Sequence, residues 1–361
     1  MSKKIAVLVG TRPNFIKITQ FRQEAEQFDS EIVIIHTGQH YDYQMAGSFF
    51  DQLAIVPDYF LEVKPGNPAR QMGEIIVALS ILLAELKPDI LVVPGDVNST
   101  LAGAITANKM GIKLAHLESG LRSFDKNMPE EINRILTDKI TDIYFVTEQS
   151  GLDHLENENV PKDKVHLVGN TMIDTLVAFD HQIKQSDILN QLHCVPKEYV
   201  LVTIHRPSNV DTAEQLKFVT TLLSSIAKDI KVVFPIHPRT VKRLKSENMY
   251  EALANNSNIV QTEPLDYFSF QNLVLNAKLI LTDSGGIQEE ATFRQVPCLT
   301  LRPNTERPIT ITMGTNKLIP FDQETILKEI QLADNTTGKI PPLWDGKSTQ
   351  RILKILVDEI S

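Results

Sequence analysis

Cysteine is scarce in this sequence, which contains only Cys194 and Cys298 among its 361 residues. Two thiols cannot supply a disulfide framework, so we expect a reducing compartment and therefore a cytoplasmic protein. No apolar run approaches the roughly 20 residues that a membrane-spanning helix needs. The run at residues 75–83 is flanked by charged residues and predicts a buried helix, and the short run at 5–9 predicts a first strand, not a signal peptide.

A basic excess is also missing, because 45 Asp and Glu residues outnumber 36 Lys and Arg residues, which gives a net charge of -9. Nucleic acids and anionic membranes bind basic surfaces, so we expect neither as a partner. The sequence has neither the G-x-G-x-x-G fingerprint nor a P-loop pattern, which counts against a dinucleotide cofactor and against a P-loop NTPase. Any anionic ligand must therefore be bound by a few local groups.

Length and hydrophobic pattern predict two α/β domains. The chain is longer than the roughly 250–300 residues at which single hydrophobic cores stop growing. Short apolar runs alternate with helix-length segments, which is typical of parallel strands covered on both faces. The predicted strands are residues 5–9, 31–36, 90–94, 113–117, 143–146, 165–168, 199–205, 231–237, 258–261, 279–283 and 298–301. We predict two Rossmann-like, doubly wound domains facing across a cleft, at 1–170 and 171–361, with the last helix, 348–360, as a candidate for packing back on the first domain.

Carboxylates gather after two strands of the first half. Asp96 follows one strand, Glu118 follows the next, and Glu130 and Glu131 come shortly afterwards. Carboxylates at one sheet edge shift one another's pKa, which is how a protein obtains an acid and a base at neutral pH. We predict that they handle protons. The alternative is structural: Glu118 and Glu130 would pair with arginines four residues further on, and Asp96 would only cap a helix.

Residues at other strand ends are suited to binding a phosphate. Arg12 and Lys17 follow the first strand near a helix start, although they can equally be two solvated cations at a turn. In the second half, Ser284 and two glycines open a helix and expose backbone N–H groups, and Glu290 is placed to bind ribose hydroxyls. His205 and His237 have no third ligand at useful spacing, so phosphate contacts explain them better than a metal site. The series closes with Arg302, Glu306 and Arg307, for which a salt-bridged rim is the alternative.

Taken together, these segments resemble the non-hydrolysing UDP-N-acetylglucosamine 2-epimerases over residues 10 to about 316. The resemblance rests on GTRPNFIK at 10–17, GQH at 38–40, GDVNST at 95–100, HLESGLRS at 116–123, MPEEINR at 128–134, HRPSN at 205–209, HPR at 237–239, TDSGGIQEE at 282–290 and NTERP at 304–308. It implies a fold like the glycosyltransferases of the B type, a homodimer, and no metal or nicotinamide. It also implies reversible inversion at carbon 2 of a UDP-N-acetylhexosamine through elimination of UDP and a glycal, supplying surface-polysaccharide precursors.

The resemblance carries roles to single positions. Proton handling falls to Asp96, Glu118 and Glu130, with Glu131 as a neighbour, and His205 becomes a catalytic contact on the diphosphate side. Which carboxylate abstracts the proton stays open. The implied nucleotide-binding residues are Arg12, Lys17, Arg206, His237, Ser284, Gly285, Gly286, Glu290 and Arg307. Some bacterial members hold a second UDP-sugar as an activator, and the partly matching positions are Gln39, His40, Arg70 and Gln71.

Several departures keep alternatives open. The HRPSN and GDVNST variants and Ser119 are shared with a branch that includes epimerases of UDP-diacetamido-uronic acids. A hydrolysing epimerase or a glycosyltransferase of the same architecture is a second rival. A catalytically silent sugar-nucleotide sensor is a third, and it is disfavoured because the whole carboxylate set is present. UDP-N-acetylglucosamine is the preferred substrate, because TERP at 305–308 resembles its branch.

Overall fold

A computed structural model describes residues 2–38, 50, 52–64 and 66–360 of the chain. It divides into two compact units. The first extends to Ala178 and includes the C-terminal segment from Pro342, and the second covers Phe179–Pro341. Each unit is built around one parallel sheet, which confirms the predicted α/β class with two doubly wound sheets.

The sheet of the first unit has the strand order β3-β2-β1-β4-β5-β6-β7 among the described residues. Its strands are β1 (Lys3–Val9), β2 (Ser30–His36), β3 (Tyr59–Phe60), β4 (Ile90–Pro94), β5 (Lys113–Leu117), β6 (Ile143–Val146) and β7 (Val165–Leu167). Every pairing is parallel, and Ile5 of β1 is in register with Ile32 on one side and Ile90 on the other. The order reverses beside β1, so the carboxyl ends of β1 and β4 border the crevice where such sheets bind ligands.

The second unit repeats the design with the order β10-β9-β8-β11-β12-β13 in its described residues. Its strands are β8 (Tyr199–Thr203), β9 (Lys231–Pro235), β10 (Ile259–Thr262), β11 (Leu279–Thr282), β12 (Cys298–Thr300) and β13 (Asn316–Leu318). The reversal falls between β8 and β11, whose residues Val200 and Leu279 are in register. Buried aliphatic residues on both faces of the sheet account for the continuous apolar runs of the sequence.

Helices cover both sheets. The helices are α1 (Arg12–Ile16), α2 (Phe21–Ala25), α3 (Pro68–Leu86), α4 (Asn98–Met110), α5 (Pro129–Lys139), α6 (Gln149–Asn157), α7 (Thr171–Ala178), α8 (Asp180–Gln185), α9 (Ile188–Gln191), α10 (Pro207–Val210), α11 (Ala213–Ile226), α12 (Pro238–Ser246), α13 (Tyr250–Ala254), α14 (Tyr267–Asn276), α15 (Gly285–Arg294), α16 (Ile309–Thr312), α17 (Gln323–Gln331) and α18 (Ser348–Glu359). Short 3₁₀ turns lie at Glu26–Phe28, Lys162–Lys164 and Ala333–Asn335. In the part of the chain described, no helix combines the length and the apolar character that a membrane span needs.

Helix α3 is amphipathic, so the prediction of a buried helix was wrong. Its residues Ile75, Leu79 and Leu83 are buried, whereas Val77 and Ile81 are each 61% exposed. The buried residues recur every four positions and therefore form one stripe along the helix. The run 75–83 is apolar at every position except Ser80, so the sequence gives little signal that one side faces solvent.

The C-terminal helix α18 packs on α2 and α7 of the first unit. Asp174 in α7 accepts hydrogen bonds at the start of α18, from the backbone N–H groups of Ser348 (3.1 Å) and Thr349 (2.6 Å) and from the Thr349 hydroxyl (2.7 Å). Just before the helix, Trp344 is buried and its Nε1 donates to the carbonyl of Thr147 at 3.1 Å. The compact units thus differ in extent from the division at residue 170, because both α7 and the chain end join the first unit.

Replacing the Asp174 carboxylate should detach the helix start. Asp174→Ala leaves three buried donors without their acceptor, which we expect to cost on the order of 3 kcal/mol of unfolding free energy. Amide hydrogen exchange within α18 should accelerate in the same variant. Asp153→Ala, at an exposed position of α6, is the control. Equal unfolding temperatures for the two variants would contradict this role of Asp174.

Candidate functional site

The turn after β1 is tied to the end of β4 by Asn14. Its Oδ1 accepts hydrogen bonds from the backbone N–H groups of Gly10 and Thr11, each at 3.2 Å. Its Nδ2 donates to the carbonyl of Pro94 at 3.1 Å. Asn14 belongs to the GTRPNFIK motif, but no role was predicted for it. Its position as the third residue of α1 is the signal that was missed, because Asn near a helix start often bonds the preceding turn.

A buried ion pair joins Lys17 to Glu118, with Nζ to Oε2 at 2.8 Å. The two residues were predicted to act on different parts of the UDP-sugar, Lys17 on the phosphate side and Glu118 on the sugar. Glu118 follows β5 and has a left-handed backbone with φ 69°. Gly95 follows β4, and a Cβ at that position would lie only 2.8 Å from the Lys17 Nζ. Glycine at 95 therefore leaves the space in which the ammonium group meets the carboxylate.

Arg134 brings Asp96 and Glu131 together. Its Nη2 pairs with Oδ2 of Asp96, and its Nη1 pairs with Oε2 of Glu131 at 2.7 Å. The neighbouring Asn133 donates from Nδ2 to the backbone carbonyl of Asp96 at 2.9 Å. The Asp96 side chain remains 26% exposed, so a ligand can reach it while Arg134 holds it.

Glu130 and Glu131 differ sharply although they are adjacent. Glu131 is buried, and its carboxylate accepts from the N–H and hydroxyl of Ser123 and from the N–H of Phe124, each at 2.9 Å. With Arg134 as a further donor, its oxygens hold the loop before α5. Glu130 lies exposed in the first turn of α5. Glu131 is therefore a structural anchor, and Glu130 is the one that can meet a ligand.

The purely structural alternative from the sequence was wrong in its pairs. Residues 118–128 form turns and loop and not a helix, so Glu118 and Arg122 are not one helical turn apart. Arg122 instead pairs with Asp138, Nη1 to Oδ2 at 2.7 Å, and with Glu158 at 2.8 Å. Asp96 does not cap α4, whose N-cap residue is Val97.

In the second unit, the fully buried Asp283 organises the loop after β8. Its Oδ2 accepts from the backbone N–H groups of His205 (2.9 Å) and Arg206 (2.8 Å) and from Nδ2 of Asn209 (3.0 Å). Its Oδ1 lies 3.0 Å from Nδ1 of His205. Burial disfavours the carboxylate, but the bonds to His205, Arg206 and Asn209 outweigh it and lower the pKa of Asp283. No role was predicted for Asp283, although a carboxylate directly after a buried strand is a recognisable signal.

The two histidines lie side by side, with ring centroids 5.8 Å apart. His237 caps α12, where its Nδ1 accepts from the N–H of Arg239 at 3.2 Å. Burial lowers the pKa of His237, and the neighbouring His205 and Arg239 lower it further. His205 is partly exposed and keeps its Nε2 for a ligand, because Nδ1 faces Asp283. Across the described ranges, no three His, Cys, Asp or Glu side chains are placed to hold a metal ion.

Helix α15 begins with Ser284 as N-cap, followed by Gly285 and Gly286. A Cβ on Gly285 would lie 2.7 Å from Nη1 of Arg307, so glycine is needed for the guanidinium to approach the helix start. Gln288 stabilises the same turn, since its Nε2 donates to the Ser284 carbonyl at 3.2 Å. The helix start and its N–H groups thus form a preset site for an anion.

Arg307 belongs to a buried ion-pair network, so a salt-bridged rim does not describe it. Its Nη1 lies 2.5 Å from Glu306, its Nε lies 2.8 Å from Glu289, and Arg302 reaches Glu306 at 2.8 Å. The adjacent Glu290 is also buried. Burial, reinforced by the charge of Glu289, raises the pKa of Glu290 to about 7.

The remaining predicted residues are less informative. Arg12 is exposed in the first turn of α1, and Arg206 is the N-cap residue of α10. Arg70 is exposed and pairs with Glu74 at 2.7 Å, while the next residue, Gln71, is buried. Gln39 and His40 lie outside the described residues.

These contacts define two different chemical surfaces. The first unit offers carboxylates held by Lys17 and Arg134, which suits proton transfer on an uncharged group. The second offers a helix start and histidine–arginine contacts, which suit a diphosphate. Fold and site together describe the class of two-domain α/β enzymes that act on nucleotide-linked substrates.

Comparison with known proteins identifies the family to which the chain belongs within this class of enzymes. The UDP-N-acetylglucosamine 2-epimerase family model matches residues 23–357. The UDP-N-acetylglucosamine 2-epimerase of Methanocaldococcus jannaschii is 41% identical, with 98% of each chain covered. The UDP-2,3-diacetamido-2,3-dideoxy-D-glucuronate 2-epimerase of Pseudomonas aeruginosa is 36% identical, with 93% of each covered. The chain therefore belongs to the UDP-N-acetylglucosamine 2-epimerase family, and it is an isomerase.

Solved structures agree with this assignment. The M. jannaschii UDP-GlcNAc 2-epimerase in complex with UDP-GlcNAc and UDP matches with a TM-score of 0.91 at 40% identity, covering 98% of this chain and 99% of that one. Acinetobacter baumannii MurG matches at 11% identity with a TM-score of 0.55, over 100% of this chain and 99% of that one. That second likeness concerns the fold alone, and it confirms the glycosyltransferase-B-like class.

The raised pKa of Glu290 makes stability depend on pH. A folded-state pKa of about 7 exceeds the unfolded value of about 4.3, so the contribution to stability is complete below pH 4.3 and is lost as the pH rises through 7. At about 1.4 kcal/mol per pKa unit, the loss is on the order of 4 kcal/mol. Glu290→Gln should therefore unfold at a higher temperature than the parent at pH 8, with little difference at pH 5.

Glu263→Gln, at an exposed position of the same unit, is the control for that measurement. Its unfolding temperature should follow the parent at both pH values. If Glu290→Gln destabilised the protein equally at pH 5 and pH 8, the carboxyl would be ionised throughout and the account of its environment would fail.

Proposed function

We propose that this chain interconverts UDP-N-acetylglucosamine and UDP-N-acetylmannosamine by reversible inversion at carbon 2. UDP is eliminated to leave a glycal, the proton returns on the opposite face, and UDP is added back. The observation that carries the proposal is the set of carboxylates at the edge of the first sheet, with Glu118 held by Lys17 and Asp96 held by Arg134. Family membership supports the same reaction.

The carboxylates can carry out the proton transfer that this reaction requires. The proton on carbon 2 is weakly acidic, so its removal requires the anomeric bond to break at the same time, with positive charge developing on the sugar ring. Inversion also needs one group to take the proton and another to return it on the other face. We assign these tasks to Asp96, Glu118 and Glu130. Glu131 is left out of the set, because its oxygens are occupied by Ser123, Phe124 and Arg134.

The second unit can bind the leaving group, UDP. Elimination places additional negative charge on the diphosphate of UDP, and preorganised donors stabilise such charge without reorganising. We assign this task to the N–H groups at the start of α15, from Ser284 to Gly286, and to His205 and Arg206. Glu290 is proposed to bind the ribose. The further nucleotide contacts carried over from the sequence are Arg12, Lys17, His237 and Arg307.

The relatives guide the choice of sugar. Relatives named UDP-N-acetylglucosamine 2-epimerase reach 41% identity over nearly the full chain, against 36% for the epimerase of the diacetamido uronic acid. This difference favours UDP-N-acetylglucosamine. The diacetamido uronate is the second candidate, because that relative still covers 93% of the chain.

Activation by a second UDP-sugar stays a prediction. Arg70 and Gln71 occupy neighbouring positions on α3, but only Arg70 is exposed. A rate curve that is hyperbolic in UDP-N-acetylglucosamine, without a lag in the reverse direction, would reject activation.

The homodimer and the cytoplasmic location also stay predictions. The molar mass in solution, measured by light scattering, tests the homodimer.

Proton NMR in deuterated water tests the reaction. Incubation with UDP-N-acetylglucosamine should produce the manno epimer, and the carbon-2 proton signal should disappear as deuterium enters from solvent. An epimer that keeps its original hydrogen at carbon 2 would exclude the elimination mechanism. Turnover of the diacetamido uronate alone would move the proposal to the second substrate, and release of free sugar would indicate a hydrolysing enzyme.

Replacing Glu118 tests whether its carboxylate acts in the chemical step or only in binding of UDP. Glu118→Gln keeps the shape of the side chain and removes its ability to accept a proton. Since such groups contribute about 100- to 10,000-fold, we expect epimerisation and deuterium exchange to fall by that range while UDP affinity is largely retained. Glu85→Gln, at an exposed position of α3, is the matched control and should behave as the parent. A variant that loses UDP affinity but turns over bound substrate normally would refute the assigned role.

A further inference from the structure

His116 is a fully buried histidine with a partner at each ring nitrogen. It lies on β5 and is 0% exposed. Its Nδ1 is 2.7 Å from Oδ1 of Asp138, and its Nε2 is 2.7 Å from the backbone carbonyl of Gly95. The proposed reaction assigns no task to either His116 or Asp138.

The partners determine the charge of the ring. The Gly95 carbonyl can only accept a hydrogen bond, so Nε2 must carry a proton. Asp138 Oδ2 accepts from the N–H of Gly120 at 3.0 Å and pairs with Nη1 of Arg122 at 2.7 Å. The Gly120 N–H and the Arg122 guanidinium can only donate, so both favour an ionised Asp138 carboxylate. An ionised Asp138 also only accepts, so Nδ1 carries a proton too and the ring is an imidazolium.

The surrounding groups are compatible with this charge. Arg122 also contacts Oε1 of Glu158. Lys139 pairs with Oε2 of the same carboxylate at 3.0 Å. Tyr144 donates its hydroxyl hydrogen to the Asp138 backbone carbonyl at 2.7 Å, and burial raises the pKa of Tyr144 to about 12, so it stays neutral. The buried carboxylate of Asp138 is therefore matched by cations and not by a shared proton.

The pair holds the two turns that carry the proposed proton-handling carboxylates. Gly95 has φ 68°, its N–H donates to the Leu117 carbonyl at 3.0 Å, and its carbonyl accepts from His116. Asp96 is the next residue. On the second turn, Glu118 and Gly120 both have positive φ, and the Gly120 N–H is held by Asp138. One ion pair thus anchors both turns.

We propose that the His116–Asp138 ion pair is a positioning element of the reaction: its imidazolium fixes the turn carrying Asp96, and its carboxylate fixes the turn carrying Glu118. The inference rests on the proposed function for the tasks of Asp96 and Glu118. The geometry of the pair itself is independent of that function. Removal of the carboxylate would release the Gly120 N–H and the second ring proton together, so both turns would shift.

Nitrogen NMR of the whole protein labelled with ¹⁵N-histidine tests the charge. At pH 8 an unperturbed imidazole, with a pKa of about 6.5, is neutral. The His116 signals, identified by their loss in His116→Gln, should instead show two protonated nitrogens at pH 8. A ring with a single proton would overturn the proposal, and this measurement does not require an active enzyme.

Kinetics of Asp138→Asn test the positioning role. Displacements near 1 Å cost about 100-fold in rate, so kcat should fall by about that factor while KM and UDP affinity change little. The matched control is Asp142→Asn, because Asp142 likewise accepts a backbone N–H, that of Leu114 at 2.9 Å, but near the opposite end of β5. The control should keep the parent kcat.

The outcomes separate the two proposals. If the parent epimerises and Asp138→Asn keeps its kcat, the positioning role is refuted while the proposed function stands. If the parent does not epimerise, the proposed function fails, and the protonation state of His116 still decides whether the buried ion pair exists. If Asp138→Asn does not fold, the spectrum of the parent protein decides alone.

Discussion

The pairing of carboxylates with buried cations at one sheet edge is the constraint on which the first unit depends. A buried carboxylate is costly unless it is paired and hydrogen-bonded, and removing one partner leaves an uncompensated charge. Lys17 directly after α1, Arg134 on α5 and His116 on β5 each meet a carboxylate from another part of the fold. These pairs can form only when helices and strands are correctly docked. The contacts that hold the unit together therefore also assemble its site.

In the second unit, several donors are likewise held by one buried carboxylate. Asp283 collects donors from the loop after β8, and so it orients His205 beside the start of α15. The neighbouring Glu290 is kept in an environment that disfavours its charge. Such an arrangement is typical of a functional site, where a group is retained at a cost in stability. The two units thus provide different chemistry: proton transfer in the first and anion binding in the second.

Sequence reasoning located the strands well because buried parallel strands are continuous apolar runs, and 90–94 and 113–117 match β4 and β5 in full. The short edge strands β3 and β13 carried too few residues to give a pattern. Residue types at strand ends indicated the site, but partners did not follow from spacing. Lys17 and Glu118 meet because β1 lies beside β4, and β4 beside β5, which is a property of the sheet order and not of local sequence. Asp138 was missed because a carboxylate inside a polar helix pattern predicts a solvated face.

In the proposed reaction, UDP leaves the sugar while the carboxylates exchange the carbon-2 proton. Positional isotope exchange tests it most directly, using UDP-N-acetylglucosamine with ¹⁸O in the oxygen that bridges the sugar and the β-phosphate. If the bond breaks, the freed β-phosphate can rotate, and ¹⁸O should appear in its non-bridging positions as epimer forms. Epimer that has exchanged its carbon-2 proton but keeps all ¹⁸O in the bridge would contradict the account.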